Sequence, residues 1–96
     1  MASWGDVQTY NDMIDDLYSF STTVKGACDT LLTAAATCAD AMQNDKASLQ
    51  ASKNVIESAK KYEEAIGLAG NLAKALAEER DGLIEYLKAL EELEQE

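Results

Sequence analysis

Ninety-six residues without proline or histidine make one small domain at most, and the abundance of alanine, leucine, glutamate and lysine is that of long helices. The net charge of −10 divides equally along the chain, with six acids against Lys25 in residues 1–43 and twelve acids against seven bases in residues 44–96. A field of that sign repels nucleic acid and anionic membrane, and the missing histidine excludes Ser-His and Cys-His couples and Glu-x-x-His metal boxes.

The first ten residues, "MASWGDVQTY", hold no lysine or arginine and no apolar stretch, which predicts no cleavable secretory signal. No apolar run approaches the roughly 18 residues of a membrane span. The expected location is therefore cytoplasmic, with export only by a route that reads a folded or internal signal.

From Val7 onward apolar residues recur every seven positions: Val7, Ile14, Ser21, Cys28, Ala35 and Met42, interleaved with Tyr10, Leu17, Val24, Leu31 and Cys38. Only Ser21 breaks the pattern, so a long helix is predicted from about residue 4 to 43. Ser3, with Asp6 three residues on, resembles a capping box at its start. Gly26 is tolerated inside at a cost of roughly 1 kcal/mol relative to alanine.

"QNDKAS" (43–48) is the one good break, with Asn44 and Asp45 suited to a turn and a new N-cap and Ser48 as a second cap candidate. The repeat then resumes in a new phase. Val55, Tyr62, Ala69, Leu76, Leu83 and Leu90 form one series, and Ser52, Ala59, Ile66, Ala73, Arg80 and Leu87 the other. A second helix is predicted over about 47–94. Gly67, Gly70 and "ERDG" (79–82) weaken it, leaving open a kink or a three-helix reading broken near Gly70.

Folding the chain back at a turn of about 44–46 sets residues whose numbers add to about 90 against each other. Cys38 then meets Ser52, Leu31 meets Ala59, Val24 meets Ile66, Leu17 meets Ala73, Ile14 meets Leu76 and Val7 meets Leu83. Small faces small near the turn and large residues gather at the open end, the taper that an antiparallel hairpin needs. The fold class expected is therefore all-α: a long, coiled-coil-like antiparallel two-helix hairpin, one domain over residues 1–96. The register places Arg80, the one charged residue of the seam, across Tyr10 or within reach of Asp6. Cys28 and Cys38, ten residues apart and so about 15 Å along one helix, are too distant to bond each other. They read as two small buried hydrophobes, the alternative being a bond between two chains.

Apolar residues remain beside the seam: Met13, Phe20 and Leu32 on the first helix, with Tyr18 near by, and Leu49, Ile56, Leu68, Leu72, Ile84 and Leu93 on the second. Two helices bury only one stripe each against one another, so this second stripe predicts a further helical partner. A larger helical protein or a second copy would complete a four-helix bundle. Met13, Phe20, Leu32, Leu49, Ile56, Leu68, Leu72 and Ile84 are the candidate partner-binding residues.

Chemistry is otherwise sparse. There is no phosphate-binding glycine loop, and the Gly-x-x-Gly of "GLAG" (67–70) reads as packing or a hinge. The acid pairs Asp15–Asp16, Glu63–Glu64, Glu78–Glu79 and Glu91–Glu92 fall mainly on outer positions, as on a solvated helix face. No calcium loop is present, since "NDKASLQASKNV" lacks alternating oxygens and a central glycine. No catalytic residue, cofactor or metal site is expected, nor any nucleic-acid binding or membrane insertion.

A chain of this length, helix–short turn–helix, acidic and without a signal peptide, resembles the WXG-type family of small helical hairpins associated with type VII secretion in Gram-positive bacteria and mycobacteria. The resemblance covers the whole chain as architecture and implies pairing into four-helix bundles, as homodimers or heterodimers. In some relatives it implies binding to the helical N-terminal region of a larger toxin. The motifs depart from the family's. Its Trp-x-Gly lies in the turn, whereas this turn is "MQNDKA" and Trp4–Gly5 stand at the start of the chain. Its export signal puts an acid four residues after a tyrosine, where Tyr86 has Leu90 and Tyr62 has Ile66. Toxin-accessory relatives also lack the turn tryptophan, so the resemblance is to that subgroup.

Three functions follow as expectations. The first is a non-enzymatic helical adaptor or accessory protein, or small substrate, of a bacterial secretion system that pairs with a larger helical protein. The second is a phage-encoded acidic inhibitor of a nucleic-acid enzyme, which the lysines at 53, 60, 61, 74 and 88 argue against by interrupting the acid. The third is a structural homo-oligomer. The glutamate-rich "EELEQE" is expected to overhang the other helix and fray.

Overall fold

The structure, a computed structural model, describes residues 1–42 and 44–95. Two helices account for nearly all of it: α1 from Trp4 to Ala41 and α2 from Lys46 to Glu94. They run antiparallel as a rod of 79 × 16 × 14 Å. The hairpin is thus all-α, as the heptad spacing predicts. Gln43, the last residue of the expected first helix, and Glu96, the last of "EELEQE", lie outside the described residues.

Each helix starts where its side chains relieve orphan amides. At α1 the Ser3 N–H donates to Asp6 Oδ2 at 2.7 Å while the Asp6 N–H donates to the Ser3 carbonyl at 3.0 Å, so Asp6 closes the first turn from both sides. At α2 Asp45 is the N-cap, and its carboxylate accepts from the Ala47 N–H at 3.0 Å, the Ser48 N–H at 3.4 Å and the Ser48 hydroxyl at 3.0 Å. Ser48 therefore serves the cap from the first turn. The hydroxyls of Thr9, Thr30, Thr33 and Thr37 in α1 each donate to the carbonyl four residues back, at 2.9–3.1 Å, which satisfies them within the helix.

α2 runs without a break through Gly67, Gly70 and Gly82, so the three-helix alternative does not occur. A Cβ at Gly67 or Gly70 would meet nothing within 4 Å. The packing role expected for "GLAG" is therefore absent, since neither glycine lies against a neighbour.

The seam follows the heptads. Val7, Ile14, Cys28 and Ala35 are buried on α1, facing Ser52, Ala59, Ala69, Ala73 and Leu87 on α2. Tyr10, Leu17, Ser21, Val24, Leu31, Val55, Ile66, Leu76, Arg80, Leu83 and Leu90 are half-buried. Cross-helix hydrogen bonds join Cys28 to Ala59, Asn11 to Arg80 and Trp4 to Glu91, pairs whose numbers add to between 87 and 95. The expected register is the observed one.

Four details differ from expectation. Arg80 Nη1 donates to Asn11 Oδ1 at 3.0 Å and its Nε to Asp81 Oδ1 at 3.2 Å, so the acceptor across the seam is Asn11, one residue past Tyr10, rather than Asp6. Cys38 is exposed rather than buried, because the small residues opposite it near the turn leave it uncovered. Met42 and Tyr62 also stay exposed at seam positions. The Tyr62 ring falls level with Cys28, where the helices are too close to admit it. Finally, the glutamate-rich end stays helical to Glu94, and Glu91 Oε1 accepts the Trp4 indole N–H at 2.8 Å.

Candidate interaction surface

On a helix paired in this way, residues seven apart share a line, and the lines beside the buried seam form its two flanks. Trp4, Asn11, Tyr18, Lys25, Leu32 and Ala39 make one such line on α1. The Trp4–Glu91 bond joins it to the α2 line of Leu49, Ile56, Glu63, Gly70, Ala77, Ile84 and Glu91. The other α1 line is Asp6, Met13, Phe20, Ala27, Ala34 and Ala41. It is joined to Ala51, Ser58, Ala65, Leu72, Glu79, Tyr86 and Leu93 by two shallow grooves. One groove is lined by Asp6, Tyr10, Met13, Glu79, Gly82 and Leu83, and the other by Ala34, Ala35, Cys38, Ala51, Ser52 and Val55.

The eight candidate partner-binding residues are therefore divided rather than gathered in a single stripe. Leu32, Leu49, Ile56 and Ile84 lie on the first flank. Met13, Phe20 and Leu72 lie on the second, with Leu68 one turn before Leu72 on its outer edge. The division escapes a linear reading because each residue is only "beside the seam" until the pairing says on which side.

The two flanks differ in character. On the first, Leu32, Leu49 and Ile84 are half-buried by the hairpin itself, while Ile56 is exposed on the α2 line and Trp4 and Tyr18 on the α1 line. Five lysines at seven-residue multiples (Lys46, Lys53, Lys60, Lys74 and Lys88) border it. On the second flank Phe20 is 48% exposed, Leu72 52% and Leu68 70%, although none is charged or hydrogen-bonded. Its borders, on the next lines outward, carry only Asp16 and Lys61 as charges over residues 9–89. Asp6 and Glu79 charge its open end, but an apolar strip with so few charges along it is unusual for a surface left in water.

Charge that is even along the sequence is uneven in space. The hairpin brings residues 1–15 and 78–95 together, with ten carboxylates against Arg80 and Lys88. The turn end, residues 36–55, holds Asp40, Asp45, Lys46 and Lys53 and is balanced. The rod is an acidic head on a nearly neutral body.

Local electrostatics are otherwise mild. The hydrogen bonds from Ser48 and Ala47 hold the Asp45 carboxyl below its ordinary value. Burial, aided by the negative charges of Glu63 and Asp29, pushes the Cys28 thiol up. Arg80–Asp81 is the one ion pair among the described residues. Those residues contain no cluster of three or more potential metal ligands, and no helix long and apolar enough to cross a membrane. No protein-family model, curated protein or solved structure matches the chain.

Proposed function

We propose that this chain is a non-enzymatic helical interaction protein whose exposed flank, centred on Phe20, Leu68 and Leu72, pairs with a larger helical protein. The observation that carries the reading is the exposed apolar strip of Met13, Phe20, Leu68 and Leu72, whose two lines hold no charged residue from Met13 and Leu72 to the turn. A rigid hairpin offers such a strip to another helix as a ready-made half of a four-helix bundle, with little ordering cost on binding. The architecture supports an adaptor or accessory role, or that of a small substrate, in a bacterial secretion system of the WXG-hairpin kind. It would work in the cytoplasm or be exported with its partner.

The acidic head supports a second reading, an inhibitor that occupies the basic groove of a nucleic-acid enzyme. Salt separates the two, because apolar docking persists as ionic strength rises while an ion-paired complex weakens steeply. Capture from lysate of the source organism at 0.05 and 0.5 M salt, read by mass spectrometry, is the test. A long helical protein recovered equally at both supports the adaptor. A nucleic-acid enzyme recovered only at low salt replaces that reading with the inhibitor.

A further inference from the structure

The larger of the two grooves lies in the acidic head, between the first turns of α1 and the stretch of α2 around residue 80. It holds about 780 Å³, within the roughly 300–1,000 Å³ of small-ligand sites. The space exists because Ala2 and Gly82, which line it, are small. Tyr10, Met13 and Leu83 give it an apolar surface, and Asp6, Glu78 and Glu79 bring three carboxylates to the same space. The groove by the turn holds about 180 Å³ and no charged residue, so volume and charge coincide only at the head. Nothing in the chain answers these charges. Among the described residues no cation lies within ion-pair distance of Asp6, Glu78 or Glu79. Arg80 is turned through the seam to Asn11 and Asp81, on the other flank, and Lys88 borders that flank too. Asp6 uses Oδ2 to accept the Ser3 N–H at 2.7 Å, and Thr9 gives its hydroxyl hydrogen to the Gly5 carbonyl at 3.1 Å. What the groove presents is therefore chiefly acceptors: the second Asp6 oxygen, the Glu78 and Glu79 carboxylates and the Thr9 oxygen.

We infer that this groove binds a small organic cation with an apolar body, of the arylammonium or alkylammonium class. Its charged nitrogen sits among Asp6, Glu78 and Glu79, and its body lies against Tyr10, Met13 and Leu83. Charge complementarity selects the sign of the occupant, and the lining selects its kind. A compact metal ion needs several oxygens closing on one point, and the described residues form no such cluster. Negative charge dispersed around an apolar surface, with a phenol ring in it, suits instead a bulky and weakly hydrated cation, which an aromatic face also attracts. The site goes beyond the pairing surface. It lies where the apolar strip ends and needs no partner protein, so it stands or falls separately from that reading.

The test is a titration of the isotope-labelled full chain with benzyltrimethylammonium, followed by amide chemical shifts. Salt at about 0.15 M screens long-range attraction to the head. The expected result is a set of saturable shifts confined to residues 9–13 and 78–83, with none at Ala51 or Val55 by the turn. Replacing Glu78→Gln together with Glu79→Gln should weaken binding about fivefold or more, as two surface charge contacts are lost. Gly82→Leu tests the volume separately. A Cβ at Gly82 meets nothing within 4 Å, so this variant should keep its helicity by circular dichroism while its side chain fills the groove and removes binding. Benzyl alcohol, the same ring without the charge, should produce no saturable shifts. The proposal is overturned if shifts are absent or spread evenly over the head without saturating. It is equally overturned if the glutamine or leucine variant binds as the parent does, or if benzyl alcohol binds as well as the cation. None of these failures touches the pairing strip, which is judged by capture from lysate.

Discussion

The Cys28 thiol donates to the Ala59 carbonyl at 3.6 Å, a side chain of one helix on the backbone of the other. Such an approach is open only because both positions are small, and Cys28 and Ala59 are 2% and 1% exposed. The alanine and cysteine content of the chain is therefore a spacing device. Substituting Ala59→Leu should overpack this point and cost about 1–3 kcal/mol, read as a lower urea midpoint. An unchanged midpoint would mean that the helices are not in close contact there.

The two thiols should differ in reactivity. Cys28 is buried and its thiol pushed up by burial and by Glu63 and Asp29, while Cys38 is exposed. At pH 8 one thiol per folded chain should react quickly with a thiol reagent, and the second only in denaturant. A Cys38→Ser variant should lose the fast phase alone.

Gly67 and Gly70 sit within α2 with open space where a Cβ would be. Each should gain roughly 0.5–1 kcal/mol on substitution by alanine, measured by thermal or urea unfolding. Loss of stability would show that the helix bends at this point.

Acid should weaken the turn in a defined window. The Asp45 carboxyl is held below its ordinary value by its bonds to Ser48 and Ala47. Its contribution is present above the unfolded value near 3.9 and is lost as pH falls through the lower folded value. Asp45→Asn keeps an acceptor for the amides and should flatten this part of the pH–stability curve. Asp45→Ala should lower the melting temperature at neutral pH.

How far the sequence reveals the molecule can be traced residue by residue. Val7, Ile14, Cys28 and Ala35 declare the α1 seam because burial of a helix repeats near seven residues, and the small-to-large taper gives the register within a few positions. Asp45 is legible as a cap from its chemistry. Arg80 is legible as a seam residue, but not its acceptor. Asn11 wins because a guanidinium at that depth takes the nearest oxygen across the seam, which depends on a shift of one residue. Cys38 and Tyr62 escape the pattern because it marks direction, not how much the opposite side chain covers. The division of Phe20 and Leu72 from Leu32 and Ile56 needs the pairing of the helices, and so does the acidic head, which arises only when the two ends of the chain meet.

The most direct measurement compares the two flanks. Two double variants, Phe20→Glu with Leu72→Glu and Leu32→Glu with Ile56→Glu, would be tested beside the parent chain for capture of its partner, with helicity checked by circular dichroism. The account predicts that the first variant keeps its helicity and loses the partner by more than tenfold, while the second, where it stays folded, retains it. Undiminished capture by the first variant would contradict the assignment of the open flank as the pairing surface.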